Sequence, residues 1–254
     1  MSENNGAPQS ERRFAILAGS GFQEFVEDSS GRSIETEYGP PSSPIRDLAY
    51  GDRTVYQLAR HGDSMLIPPH KINYRANLKA LQRLGVTDVI ALNTVGAIIE
   101  GQHPGSVAVP AQIIDYTFGR DHSIYDGESD SLANIDFTEP LNAGLRQSLL
   151  RAAEQVDVQC HKGGAYAVTQ GPRLETAAEV NKLERDGADY VGMTAMPEAS
   201  LAMELGMRYA CLSLVVNYAA GRSETGIHAD IEASTLSARE QAMTILTEFF
   251  RSVD

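Results

Sequence analysis

Cysteine is scarce in this chain, and so are long apolar runs and basic side chains. Only Cys160 and Cys211 occur in 254 residues. They show neither CxxC spacing nor a paired-histidine motif. No disulfide framework and no metal site are therefore expected, and both cysteines read as buried thiols in a reduced cytoplasm. No apolar run approaches the ~20 residues needed to cross a bilayer, so a membrane partner is not expected. Lys and Arg number 21 against 34 Asp and Glu, a net charge of −13. Such a chain lacks the overall basic surface that displaces counterions from nucleic acid. An anionic small ligand is still admitted, because a local site can be positive on an acidic protein. The opening MSENNGAPQSERR lacks the apolar core of a signal peptide. Residues 1–12 read as a mobile N-terminal tail and 13–254 as one domain located in the cytoplasm.

Hydrophobic residues make up 42% of the chain, enough for one large core. Short apolar runs predict strands over 14–18, 53–60, 87–93, 163–169, 188–193 and 208–216, with a strand pair in 105–114. Helical spacing predicts helices over 73–84, 141–156, 174–186, 197–205 and 232–252, with loops at 119–137 and 218–230. Strands alternating with helices imply an α/β class, with helices on both faces of a sheet. Ligands in such folds bind beyond the carboxyl ends of strands. Those ends carry Gly19-Ser20, Arg60-His61, Asn93-Thr94, Met193-Thr194 and Asn217.

Gly19-Ser20-Gly21 opens like a dinucleotide fingerprint, but Glu24 stands where the third glycine belongs. An acidic side chain there disfavours a pyrophosphate, so no nicotinamide cofactor is expected. A smaller anion fits better, since the glycines admit the backbone and Ser20 can donate. Arg60 supplies bidentate donors and His61 one more, although a structural ion pair is an equal reading for Arg60. Thr94 and Thr194 add hydroxyls. Together these five residues form a candidate phosphate cradle.

Five ordered segments are more specific: RHGDSMLIPPHKINYRANLKAL, LNTVGAI, TQGPRLETAAE, YVGMTAMPEASLAMELGM and SLVVNYAAG. From about residue 14 to 250 the chain resembles the trimeric purine nucleoside phosphorylase and methylthioadenosine phosphorylase family. The resemblance implies a single-domain layered α/β/α fold with a central mixed sheet. It also implies a homotrimeric pentosyltransferase that needs no cofactor, with inorganic phosphate as co-substrate and a purine nucleoside as partner. Ser20, Arg60, His61, Thr94 and Thr194 would hold phosphate, and Met193 would lie along the ribose.

Glu175 and Asn217 would read the base. A 6-oxopurine offers N1–H as donor and O6 and N7 as acceptors, which a carboxylate and an amide complement. A 6-aminopurine offers the opposite pattern, and a buried mismatch costs about 1–3 kcal/mol. The methylthioadenosine-cleaving branch typically has Asp at the position of Asn217 and no acid at that of Glu175. HKINYRAN and PEASLAMELGM nevertheless lean towards that branch. The expected substrate is therefore methylthioinosine, with inosine or guanosine next and methylthioadenosine third. A nucleoside-binding protein without catalysis is the reading of another class. For the 5′ substituent, Ile227 and Ile231 would suit S–CH3 and His228 a hydroxyl, while the loop of His122 would reach a neighbouring subunit. The expected chemistry is displacement at C1′, with Arg60 and His61 positioning the dianion and Asn217 stabilising the departing purine.

Overall fold

The computed structural model describes residues 12–20, 22, 31–125, 127, 134–223 and 231–253. Among these residues ten strands and five α-helices follow in the order β1 (Phe14–Ala18), β2 (Arg46–Tyr50), β3 (Arg53–Ala59), α1 (Tyr74–Arg83), β4 (Asp88–Ala97), β5 (Ser106–Val109), β6 (Gln112–Asp115), α2 (Ala143–Gln155), β7 (Cys160–Lys162), β8 (Ala165–Val168), α3 (Ala177–Arg185), β9 (Tyr190–Gly192), α4 (Ala195–Glu204), β10 (Arg208–Tyr218) and α5 (Ile231–Ser252). All these strands join one mixed sheet. Its main row runs β2-β3-β1-β4-β10-β5-β7, and a second row, β6-β8-β9, attaches to the far end of β4.

The layering follows from strand alternation. Phe14, Ile16, Ile90 and Leu212 face one side, where α2 and α5 supply Leu145, Leu149, Ile245 and Phe249. Ala15, Leu17, Val89 and Cys211 face the other, covered by Leu78 and Leu81 of α1 and Ala199 and Leu201 of α4. A smaller cluster seats Val180 and Leu183 of α3 on Ala167 and Val191. Each such leucine, isoleucine or phenylalanine contributes roughly 1.5–3 kcal/mol by leaving water. The arrangement is the expected α/β/α sandwich.

Two strands escape the hydrophobic pattern. β2 and β7 close the two ends of the main row. Paired on one side only, they can carry polar residues such as Arg46, Asp47, His161 and Lys162, which blurs their periodicity. β4 and β10 are longer than expected, running to Ala97 and Tyr218. Arg12, assigned to the tail on sequence grounds, is held by the buried Asp88 at 2.8 Å. Residues 1–11 lie outside the described residues. Cys160 is half-buried rather than buried, whereas Cys211 is buried; burial pushes both thiols up to about 12.

Strand pairing also creates an opening. β10 accompanies β4 along one side for its whole length. On the other side β1 pairs with β4 only as far as Ala18 and Leu92, and β9 begins at Gly96. Among the described residues, Asn93, Thr94 and Val95 thus have no strand neighbour on that side. Backbone groups there are open to other partners.

Candidate active site

A cleft partly open to solvent lies over this gap. Ser20, Arg60, His61, Thr94, Glu175, Met193, Thr194 and Asn217 all line it. Gly19, Asn93, Gly96 and Gly192 complete much of its wall.

Gly19 lets β1 end close against β4: a Cβ here would stand 2.5 Å from the Leu92 carbonyl oxygen and 2.8 Å from Arg60 Nη1. Any larger residue would push the Ser20 turn away from the strand edge. Arg60 follows β3 and is fully buried. Its Nε and Nη2 donate to the two carboxylate oxygens of Glu198 at 2.9 and 2.7 Å, and Nη1 donates to the Leu92 carbonyl at 2.7 Å. Glu198 is equally buried and also accepts from Tyr209 Oη at 2.8 Å. Burial alone would lower the Arg60 pKa, but the Glu198 carboxylate outweighs it and the net shift is upward. The ion-pair reading of Arg60 thus holds, without occupying the whole guanidinium. One fork of the guanidinium belongs to an ion pair, and one N–H on each terminal nitrogen is left for a ligand.

His61 differs from expectation. Its Nδ1 lies 2.8 Å from the Ile67 carbonyl, which can only accept, so Nδ1 carries the proton. Burial, followed by the nearby Arg60 charge, lowers its pKa against the opposing pull of the Ile67 hydrogen bond. In its neutral form the remaining nitrogen, Nε2, is an acceptor rather than the additional donor assumed from sequence. It suits the protonated oxygen of hydrogen phosphate.

Thr194 stands at the start of α4 but makes no side-chain cap. Instead the Asn93 amide donates to Thr194 Oγ1 at 2.9 Å. Because Oγ1 accepts there, its own proton is available to a ligand. Asn93 stands out in the sequence only as a neighbour of Thr94, and nothing local announces its role in orienting Thr194. Thr94 is half-buried within β4 rather than at its end.

On the base side, Glu175 precedes the α3 cap. Thr176 and Glu179 form a capping box that fixes this turn, a pairing legible as T-x-x-E. The Thr169 hydroxyl donates to Glu175 Oε1 at 2.6 Å. Gly171, at φ +61°, lies so near Met193 that a Cβ would collide with its sulfur. Asn217 reaches the cleft through a bulge: Val215 pairs with Val95, but Asn217 pairs with Gly96, so Val216 is an extra residue. Bulges re-aim side chains, and here both Val216 and Asn217 face the cleft. The Asn217 amide donates to the Tyr218 carbonyl at 2.7 Å, leaving its second N–H and its oxygen for a ligand.

Arg120, placed in a loop with no assigned role, ties these walls together. Nη1 donates to the carbonyls of Met193 at 2.8 Å and Met196 at 2.5 Å. Nη2 donates to the carbonyls of Gln170 at 2.8 Å and Thr169 at 3.2 Å. An arginine amid polar loop residues gives no sequence signal of such partners. Glu198 offered one: a lone acid within the apolar run AMPEASLAM invites a buried cation.

The residues proposed for the 5′ substituent fare differently. Ile227 and His228 lie outside the described residues. Ile231, half-buried at the start of α5, does not line the cleft. Nor does His122, whose ring is held within its own loop by Thr117 at 3.1 Å and Asp115 at 3.5 Å. These local partners explain why its imidazole does not serve the cleft of its own chain. Among the described residues no group of three or more His, Cys, Asp or Glu could hold a metal ion. No helix among them is long and apolar enough to cross a membrane.

Comparison with known proteins places these features in context. The family model described as "Phosphorylase superfamily" matches residues 13–251. A probable S-methyl-5′-thioinosine phosphorylase of Xylella fastidiosa is 50% identical over 210 residues, covering 82% of this chain and 84% of the relative. A 6-oxopurine nucleoside phosphorylase of Pyrococcus furiosus is 44% identical over 217 residues, covering 83% and 81%. The solved methylthioadenosine phosphorylase of Schistosoma mansoni with adenine superposes with a TM-score of 0.85 at 31% identity, covering 95% of this chain and 91% of that one.

Proposed function

Because the chain belongs to the phosphorylase superfamily, we propose that it cleaves 6-oxopurine nucleosides with inorganic phosphate, foremost S-methyl-5′-thioinosine. The products are hypoxanthine and 5-methylthioribose 1-phosphate. The chain is a pentosyltransferase of the purine nucleoside phosphorylase type. One observation carries the base assignment: Glu175 and Asn217 share a single cleft with the anion donors.

In this reading hydrogen phosphate lies between the Ser20 turn, the open edge of β4, Thr194 and the two free N–H groups of Arg60. His61 Nε2 accepts from its P–OH. The C1′–N9 bond loosens to an oxocarbenium-like sugar, and a phosphate oxygen attacks C1′ from the opposite face. The electron pair of the broken bond goes to the purine. Asn217 stabilises it by donating to O6; N7 takes up a proton from solvent, matched by the P–OH proton that the new sugar phosphate gives up, and Asn217 Oδ1 then accepts from N7–H while Glu175 accepts from N1–H. Proximity and charge stabilisation suffice, so no covalent intermediate on the protein is needed. Met193 lies beside the ribose.

A substrate panel tests the proposal: methylthioinosine, inosine, guanosine, methylthioadenosine and adenosine, each with and without phosphate. Phosphate-dependent release of hypoxanthine, with methylthioadenosine and adenosine poor, is expected. Equal turnover of methylthioadenosine would refute the base assignment. Ligand binding without base release would favour a binding protein. A homotrimer in the cytoplasm is proposed on family resemblance, and light scattering and cell fractionation test it.

A further inference from the structure

The carboxylate that faces the purine edge is not free on both oxygens. Thr169 follows β8 and does not itself line the cleft. Its hydroxyl donates to Glu175 Oε1 at 2.6 Å. Among the described residues, the alternative acceptor for that hydroxyl is the Gly192 carbonyl, at 3.3 Å. Thr169 is also fixed through its backbone. Its N–H bonds the Gly192 carbonyl at 2.8 Å, and its own carbonyl accepts from Arg120 at 3.2 Å. The hydroxyl is thereby held against one oxygen of Glu175, and among the described residues Oε2 has no hydrogen-bond partner.

This asymmetry matters because the two common 6-oxopurines differ on this edge. Hypoxanthine offers N1–H alone, beside an apolar C2–H. Guanine offers N1–H and a 2-amino group, two parallel donors that match both oxygens of a free carboxylate. We propose that Thr169 is a specificity-determining positioning residue that makes Glu175 a one-oxygen reader, selecting hypoxanthine nucleosides over guanine nucleosides. This rests on the 6-oxopurine reading of the same cleft. To bind guanine in the same register, the amino group must crowd Oε1 alongside the hydroxyl. Alternatively, it must drive the hydroxyl onto the neutral and more distant Gly192 carbonyl. The first route divides one oxygen between two donors and the second moves the hydroxyl to a neutral acceptor; either weakens a charge-assisted hydrogen bond, a loss of about tenfold in kcat/KM.

Inosine and guanosine share one sugar, so their kcat/KM ratio isolates the base. Wild-type enzyme is expected to favour inosine by about tenfold or more. Thr169→Ser keeps the hydroxyl and should keep that ratio. Thr169→Val removes it, frees Oε1 and should narrow the ratio by about tenfold. A merely structural role would lower both rates together and leave the ratio alone. If Thr169→Val does not fold, Thr169→Ala and inhibition of the wild type by free hypoxanthine and guanine supply the same comparison. Guanosine cleaved as well as inosine by the wild type overturns the proposal alone, as does an unchanged ratio in Thr169→Val. No phosphate-dependent release of base from either nucleoside overturns both the proposal and the reading beneath it.

Discussion

Replacing Arg60 by methionine separates its two tasks, provided Glu198 is changed as well. Both side chains are fully buried and share two hydrogen bonds of 2.9 and 2.7 Å. Removing one partner strands the other charge in the interior, which costs about 3–5 kcal/mol. For a chain of this length, each kcal/mol lowers Tm by about 2–4 °C, so Arg60→Met alone should lose roughly 6–20 °C. Glu198→Gln alone should also be unstable, because the guanidinium loses its counter-charge. The double variant removes both charges, and the amide oxygen that replaces the Glu198 carboxylate can still accept from Tyr209. Its stability should lie within about 1–2 kcal/mol of wild type, since replacing a buried pair outright is often near neutral. Phosphate use should not recover. Two lost charge-assisted bonds at about 1.5 kcal/mol each predict roughly a 150-fold fall in kcat/KM for phosphate. Differential scanning fluorimetry and phosphate-dependence kinetics read the two effects apart. A double variant with normal phosphate kinetics would remove Arg60 from the cradle. Single variants as stable as wild type would refute the coupling.

Asn217→Asp should weaken turnover of hypoxanthine nucleosides and gain some cleavage of methylthioadenosine, because a carboxylate can accept from N6–H where the amide N–H cannot. Steady-state kinetics on both substrates check this, and an unchanged preference removes Asn217 from the base site. His61 predicts a pH effect on stability. Burial lowers its folded-state pKa below the unfolded value of ~6.5, so on acidification the unfolded chain takes up the proton first. Its contribution is full above about pH 6.5 and declines as pH falls towards the depressed pKa. Urea unfolding between about pH 5 and 7.5 should show this slope, and His61→Gln should flatten it. Arg120→Lys should lower kcat/KM at least tenfold with only a few degrees lost in Tm, because an ammonium cannot span four carbonyls on two loops. Unimpaired kinetics would show that those loops hold without it.

Most of the layered fold was legible because its buried strands are apolar and its helices periodic. β1 matched its five-residue run, and Gly85 stopped α1 as expected. What escaped was set by long-range pairing. β2 and β7 are strands only because β3 and β5 present an edge to them. The bulge at Val216 depends on the register between β10 and β4. Within the cleft, residue types at strand ends pointed to side chains that the structure brings together. Their orientation did not show: Nδ1 of His61 turns to Ile67, and Asn93 serves Thr194. Arg120 holds carbonyls 49 to 76 positions away and Glu198 pairs with an arginine 138 positions away, so neither partner can be read from the local sequence.

The interrupted pairing of β4 makes the cleft a competitor of the sheet itself. Two or three further residues of regular strand after Ala18 could zip onto Asn93–Val95 and meet the end of β9. Such a zipper would gain backbone hydrogen bonds and erase the anion seat in the same stroke. Substitutions that raise strand propensity around Ser20 should therefore yield hardier but inactive protein. Screens for thermostability would collect them unless activity is selected alongside.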